Sequence, residues 1–453
     1  MRDINQHDRD VIERFRTKKY TITKWERHSC TLDYAKTDAF GDIIFLGASQ
    51  IPSKYIRVSY RTIDHMDKIL SLLFDKPYWS LSKPRLLISV TGGAKLNLNK
   101  RLKETFSKSL VEVATTTHAL ITTGGSYNGC MKLVGEAFKE NALSIDPSKK
   151  VVVLGIANWC SVTKYESLIR EEKSRSPFVE YEMIKPKNQK TKAELLDPNH
   201  SHFILVDDGK HDFGGEVEFR AELESRISKM QIDKETATSM VVLVVGGGPR
   251  TVEMVLNTVQ KGNPCVFLES SGECANIYAF ALKKLKSKDK KEGPLLDAKL
   301  KDEIKSRVAK EYPARKPIEI ENIYLGIEKS LDASYAHLLN VCSPINGNAE
   351  IDVAILRALL RKEKLQFQSQ LELALNWNRI DIARNFIFTD ENKDFVCGKF
   401  LFYFIFEFFE FFFNYETFFI KIKLKRQQEN KDFDLIYFIF GINFYLLGFS
   451  PEK

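Results

Sequence analysis

No C-x-x-C pair occurs among the seven cysteines of this 453-residue chain (Cys30, Cys130, Cys160, Cys265, Cys274, Cys342 and Cys397). The common zinc-ligand spacings are therefore excluded and no disulfide framework is indicated, so the thiols read as reduced and cytosolic. The amino-terminal MRDINQHDRD lacks the basic and apolar regions of a signal peptide, and export is not expected. No basic run is interleaved with aromatics, so the formal net charge of +8 reads as a Lys/Arg-rich middle and not as a nucleic-acid groove. G-x-x-x-x-G-K-[ST] is absent, which excludes a P-loop, and there is no clean G-x-G-x-x-G.

What remains is ample apolar material. With 43% hydrophobic and 28% charged residues, the chain can bury a sizeable core in two or three domains. Residues 1–39 are polar with a short aromatic cluster and read as a weakly ordered lead-in. From 40 to 285, apolar runs (43–46, 86–90, 119–122, 151–156, 202–206, 241–245, 264–268) alternate with amphipathic stretches such as 100–115 and 129–139. That alternation predicts βαβ units and an α/β fold, an open, doubly wound parallel sheet with ligands at the carboxyl ends of the strands. Residues 286–394 read as a helical region entered through a lysine-dense linker, with packed helices at 351–360 and 371–388. Residues 395–453 hold the Phe-rich run FLFYFIFEFFEFFFNYETFF and a second aromatic run. Its embedded carboxylates argue against a membrane anchor, and the tail reads as sequence not shaped as part of the fold.

Three apolar runs end in glycine turns: LLISVTGGAK, ALITTGGSYNG and VVLVVGGGPRT. Gly-Gly at a strand exit exposes backbone N–H groups beside the next helix N-terminus, where the peptide dipoles favour an anion such as phosphate. The candidate ligand residues are Thr91, Gly92, Gly93 and Lys95 in the first turn, Gly124, Gly125 and Ser126 in the second, and Gly247, Gly248 and Thr251 in the third. One such turn is explained by a tight strand exit alone; three at one sheet edge favour a nucleotide-shaped pocket. In HSHFILVDDGKH, His200 and His202 share a strand face while Asp207 and Asp208 lie at its exit, too far for a compact metal shell. Those aspartates are expected to border the pocket. Arg220 either reaches a phosphate or ribose or forms a surface ion pair with Glu218 or Glu224.

The segments FGDIIFLG, KYIRVS, LLISVTGGAKLNLNKRLKETF, ALITTGGSYNGCMKLVGEA, HSHFILVDDGKH and LALNWNRIDIARNFIF, in this order over residues 40–388, resemble the cytosolic amino-terminal region of melastatin-type transient receptor potential (TRPM) cation channels. HSHFILVDDG with SSGE (Ser270–Glu273) leans toward the ADP-ribose-responsive, calcium-permeable branch. The resemblance implies a Rossmann-like, SLOG-type (LSDAT) nucleotide-sensing domain followed by helical repeats, and a regulatory, non-enzymatic module on the cytosolic face of a plasma-membrane channel. It further implies a homotetramer of channel subunits, ADP-ribose or a related nucleotide as ligand with no other cofactor and no metal, and Gly272 in the ligand turn. The family carries its pore beyond this region, and resemblance ends near Asp394. Where ligand-binding relatives carry arginine, Glu273 stands here.

Two other readings stay open. The fold also resembles nucleoside-monophosphate phosphoribohydrolases of the lysine-decarboxylase-like (LOG-like) group, whose site reads P-G-G-x-G-T-x-x-E. Gly247, Gly248 and Thr251 match, but Arg250 replaces a glycine and Met254 stands at the catalytic glutamate position, beside Glu253. The third reading is an assembly domain without a ligand.

Overall fold

Seven apolar runs expected to be strands are strands, and their burial explains why. LLISV in β3 (Leu86–Gly92) and MVVLVV in β8 (Ser239–Val245) are buried on both faces, as strands covered by helices on either side must be. The computed structural model describes residues 37, 39–76, 78–93, 96, 98–141, 151–170, 178–184, 193–209, 215–232, 237–287, 296–344 and 350–362. The chain divides into two units, Met1–Leu365 and Gln366–Lys453, and all described residues belong to the first. The lead-in up to residue 36, the helix expected at 371–388 and the Phe-rich tail lie outside the described residues.

The remaining strands are β1 (Phe40–Leu46), β2 (Ser49–Ser59), β4 (Leu120–Thr123), β5 (Val152–Asn158), β6 (Phe178–Glu182), β7 (His202–Asp207), β9 (Cys265–Leu268) and β10 (Leu339–Cys342). The helices are α1 (Met66–Phe74), α2 (Lys100–Thr116), α3 (Gly129–Glu140), α4 (Gly215–Ile227), α5 (Pro249–Gln260), α6 (Glu273–Ser287), α7 (Ala298–Glu311), α8 (Pro317–Ser330) and α9 (Ile351–Lys362). One ten-stranded sheet has the order β10-β9-β8-β3-β4-β5-β7-β2-β1-β6. From β10 to β2 all neighbours are parallel; β1 runs antiparallel to β2, and β6 follows β1. The chain moves outward from β3 through β4 and β5, then returns to the other side of β3 for β8, β9 and β10. The winding therefore reverses between β3 and β8, which stay paired as far as Gly92↔Val245, and in open α/β sheets such a switch point frames the crevice in which ligands bind.

Local signals fix the helices. Asn99 Oδ1 accepts the Leu102 N–H at 2.8 Å and starts α2, whose Leu102, Phe106, Leu110 and Ala114 are buried. Asn99→Ala is expected to lower stability by about 1 kcal/mol, read as a lower denaturation midpoint with an unchanged circular dichroism spectrum. Pro249 sits at the first position of α5, where its missing N–H costs nothing.

The expected boundary at residue 285 does not separate two bodies. Strand β10 pairs with β9 through Leu339↔Cys265 to Cys342↔Leu268, so the sheet itself continues past it. Leu300, Ile304 and Val308 of α7 and Ile323 and Ile327 of α8 are buried in the same cluster as Val242, Val255 and Phe267. Gly326 admits α8 closely against α5: a Cβ there would lie 2.8 Å from Val252 Cγ1. The first part of residues 286–394 is thus an integral layer of the α/β domain. Cys130, Cys265, Cys274 and Cys342 are free, as expected, whereas Cys160 is disulfide-bonded.

Candidate functional site

At Gly92 and Gly247 the crevice is walled by glycine because nothing larger fits. Gly92 faces Val245 across the β3–β8 ladder, and a Cβ on it would lie 1.9 Å from the Val245 carbonyl oxygen. The Gly93 N–H donates to that same oxygen at 3.1 Å. Gly246 and Gly247 turn the chain away at φ +65° and +116°, a region that side chains disfavour. The first and third turns are thus joined, and Gly246 lies beside Gly93.

A fourth turn, Ser270–Glu273, is stitched to the third. The Gly246 N–H donates to Ser271 Oγ at 2.7 Å and the Gly247 N–H to Glu273 Oε2 at 3.1 Å. In return the Cys274 and Ala275 N–H groups donate to the Gly247 and Gly246 carbonyls, each at 3.1 Å. The Tyr312 hydroxyl, from the end of α7, also donates to the Gly247 carbonyl at 2.6 Å. Burial raises the Tyr312 pKa, with nearby Cys274 and Glu273 adding to it, so the phenol stays a donor. Ser270, Gly272 and Glu273 all have positive φ, so this turn is held in a conformation two of its three side chains disfavour.

The second turn lies one strand further along. The Gly125 N–H donates to Thr123 Oγ1 at 2.8 Å, and that hydroxyl is 2.6 Å from His200 Nε2. His200 and Asp197 are fully buried, with Nδ1 and Oδ2 3.6 Å apart. This turn leads into α3, whose Cys130 N–H donates to the Gly93 carbonyl at 3.1 Å, so all the glycine turns are mechanically connected. Burial pushes the Cys130 thiol up to about 12, which leaves it no nucleophile.

The structure treats the expected site residues unequally. Gly92, Gly93, Gly247, Gly248, Thr251 and Gly272 come together around the β3–β8 crevice, with Gly124, Gly125 and Ser126 beyond β3 at the end of β4. Thr251 is buried beneath Gly247, where a Cβ would lie 2.6 Å from its Oγ1, so it supports the turn from inside. The buried Ser126 hydroxyl has no hydrogen-bond partner among the described residues. Thr91 is half-buried, and its hydroxyl forms no hydrogen bond there either. The N–H groups of Gly248 and Gly272 likewise have no acceptor among the described residues, and a Cβ on either would meet nothing within 4 Å. Lys95 and His211 lie outside the described residues.

Arg220 resolves differently from either expectation. Its ion pair with Glu224 (Nε–Oε1 2.8 Å) is buried, not on the surface. Its Nη2 donates to Ser89 Oγ, the Val90 carbonyl and the Thr122 carbonyl at 2.8, 3.0 and 3.1 Å, which seats the guanidinium between β3 and β4. Only Nη1 makes no hydrogen bond, on a side chain 7% exposed. Asp207 and Asp208 do not stand open at the pocket edge: Asp207 pairs with the buried Arg57, and Asp208 accepts from Asn158 Nδ2 at 3.0 Å. His200 stacks on Phe203 while His202 packs on Trp79, so they do not act as one ligand pair. Among the described residues no group of acids, histidines and cysteines is arranged to hold a metal ion.

Sequence reasoning missed Ser271, Tyr312 and the Thr123–His200–Asp197 support. Tyr312 stands 65 residues from its partner and carries no local signal. Ser271 could have been found, since it sits inside the SSGE segment already singled out.

A parallel sheet whose winding reverses, with glycine turns at the switch point, defines a Rossmann-like domain. Comparison with known proteins makes this particular: the family described as SLOG in TRPM matches residues 53–324, and the chain belongs to it. It is 36% identical over 382 residues to the transient receptor potential cation channel subfamily M member-like 2 of Nematostella vectensis, covering 82% of this chain and 24% of that protein. It is 37% identical over 371 residues to subfamily M member 2 of Rattus norvegicus (78% and 23%) and 32% identical over 392 residues to member 7 of the same species (85% and 19%). The chain thus spans about a quarter or less of the length of these relatives. Among the described residues no helix is long and apolar enough to cross a membrane.

Proposed function

We propose that the β3–β8 crevice binds the diphosphate of a nucleotide such as ADP-ribose, and that the chain serves as an amino-terminal cytosolic regulatory and assembly region of a calcium-permeable channel. Its partners in this reading are other subunits of a homotetramer at the plasma membrane, with a pore outside the matched region. The observation that carries the reading is the set of unspent donors at one sheet edge: the Gly248 and Gly272 N–H groups, the Thr91 hydroxyl and Arg220 Nη1. Thr91, Gly92, Gly93, Lys95, Gly124, Gly125, Ser126, Arg220, Gly247, Gly248, Thr251 and Gly272 are the proposed ligand and turn residues. A ligand with different affinity for two channel states would bias the equilibrium between them.

One contact favours the assembly reading. The Glu273 carboxylate already sits on the Gly247 N–H, placing a negative charge where a phosphate oxygen would be drawn. Hydrolysis is disfavoured by Met254, which is buried against Val217 and Ala221 at the position where the phosphoribohydrolases carry their carboxylate. Glu253, beside it, is on the exposed side of α5.

Calorimetric titration of the full chain with ADP-ribose tests the proposal. Weak binding is expected for the wild type, and Glu273→Arg is expected to tighten it by about tenfold, equivalent to about 1.4 kcal/mol. No heat from either protein would leave the assembly role, and release of adenine and ribose 5-phosphate from AMP, water taking the place of the base, would restore the enzyme.

A further inference from the structure

We propose that the β3–β8 crevice is autoinhibited by its own chain, an inference that rests on the reading of the crevice as a diphosphate site. The Glu273 carboxylate is a built-in competitor: it holds the Gly247 N–H in the place of a ligand oxygen and swings aside when a diphosphate takes that donor. The inhibition lies in the contact and not in the charge alone.

The third turn is braced, so the side chain is the part that moves. Ser271 Oγ takes the Gly246 N–H at 2.7 Å and donates its own proton to the Leu268 carbonyl at 2.5 Å, on a residue 6% exposed. The Gly247 carbonyl takes both the Cys274 N–H at 3.1 Å and the Tyr312 hydroxyl at 2.6 Å. Gly247 itself stands at φ +116° over the buried Thr251. Against this fixed turn, Glu273 opens α6 as a half-buried residue whose Oε2 reaches the Gly247 N–H at 3.1 Å.

The donor it takes is one the crevice otherwise leaves open. The Gly248 and Gly272 N–H groups have no acceptor among the described residues, whereas the Gly247 N–H has a charged one. Carboxylate and phosphate oxygens both make charge-assisted bonds to backbone N–H groups, so the two compete for it. The backbone is held to permit the contact: of the five non-glycine residues with positive φ among the described residues, Ser270 (+68°) and Glu273 (+41°) are two. Such strain persists only where surrounding contacts impose it, and it collects in clamps and switches. A ligand gains the Gly247 donor only after this bond breaks, so its apparent affinity falls by the fraction of molecules in which the latch is open.

Contact and charge can be separated. Aspartate keeps the charge but is one methylene too short for the Gly247 N–H, and glutamine keeps the reach and an oxygen acceptor without the charge. In calorimetric titration of the full chain with ADP-ribose, Glu273→Asp is expected to tighten binding about threefold and Glu273→Ala about fivefold, with Glu273→Gln within about twofold of wild type. Circular dichroism spectra should not change. In nuclear magnetic resonance spectra of the unliganded chain labelled at glycine nitrogen, the Gly247 amide is expected to shift in Glu273→Asp and Glu273→Ala and to hold its place in Glu273→Gln. A larger gain from Glu273→Gln than from Glu273→Asp would make Glu273 a repelling charge and overturn the latch, as would a Gly247 resonance that no variant moves. Equal, measurable ADP-ribose affinity in all four proteins overturns the latch and leaves the crevice reading standing. No heat from any protein, Glu273→Arg included, sinks the crevice reading and the latch together.

Discussion

Alanine at position 92 is expected to destabilise the fold by about 3 kcal/mol or more, among the larger effects open to one methyl group. The added Cβ would lie 1.9 Å from the Val245 carbonyl oxygen and 2.9 Å from its carbon, so the obstruction is backbone that cannot rotate aside. Cys130 Sγ at 3.2 Å blocks retreat toward α3. Relief requires β3 and β8 to part at their carboxyl ends, which breaks the Gly93 N–H bond to Val245 and loosens the third turn with it. Gly248→Ser provides the contrast. Its φ of −99° suits any residue, nothing lies within 4 Å, and serine is a good N-cap for α5, so the change should stay within about 0.5 kcal/mol. Urea midpoints of the two variants check the pair; equal effects would mean that the strands can part freely at the crevice.

Most strands that sequence made visible are buried on both faces, because a continuous apolar run such as VVLVV has no other home, with β1 the exception, its Leu46 exposed. Those it hid do not look like strands on their own. β2 carries Pro52, Lys54 and Arg57, and its central position is explained only by Asp207, 150 residues away, which takes the buried Arg57 charge. β6 is the exposed edge FVEYE, with only Tyr181 buried. β10 is four residues long within a helical stretch, and its partner β9 supplies the ladder that defines it. Placing the domain boundary at 285 followed from that last omission: without β10, the helices after the lysine run had no sheet to cover.

For the site, glycine spacing located the turns because close backbone approach is a constraint that one residue type satisfies, and Gly92 and Gly247 show it. What lay beyond a single turn was not readable. The Ser271 and Tyr312 bonds that hold Gly246 and Gly247 join segments whose proximity is a product of the sheet order. Asp207 and Asp208 illustrate the opposite error, since acidic residues at a strand exit suggested an open edge when both carboxylates were needed to satisfy interior partners.

Arg220→Met is expected to cost about 3–5 kcal/mol, because the guanidinium is half of a buried ion pair and ties two strands. Its removal leaves Glu224, with no exposed side chain and Oε2 already unpartnered, bonded only to the Thr122 hydroxyl at 2.5 Å. The Val90 and Thr122 carbonyls lose the same donor. Arg220→Lys should recover little, since one ammonium cannot reach the carboxylate and three further acceptors as a planar fork does. The double variant Arg220→Met/Glu224→Leu should be more stable than the sum of the single changes by about 2 kcal/mol, because no charge is then stranded. This cycle, measured by urea unfolding, also separates the two roles the geometry gives Arg220. A large stability loss in Arg220→Met with recovery in the double variant marks the pair as structural, and ADP-ribose titration of the refolded double variant then reads what Nη1 contributes to the crevice. If Arg220→Met unfolds at the wild-type midpoint, the buried pair carries no stability and the arginine is held there for its ligand alone.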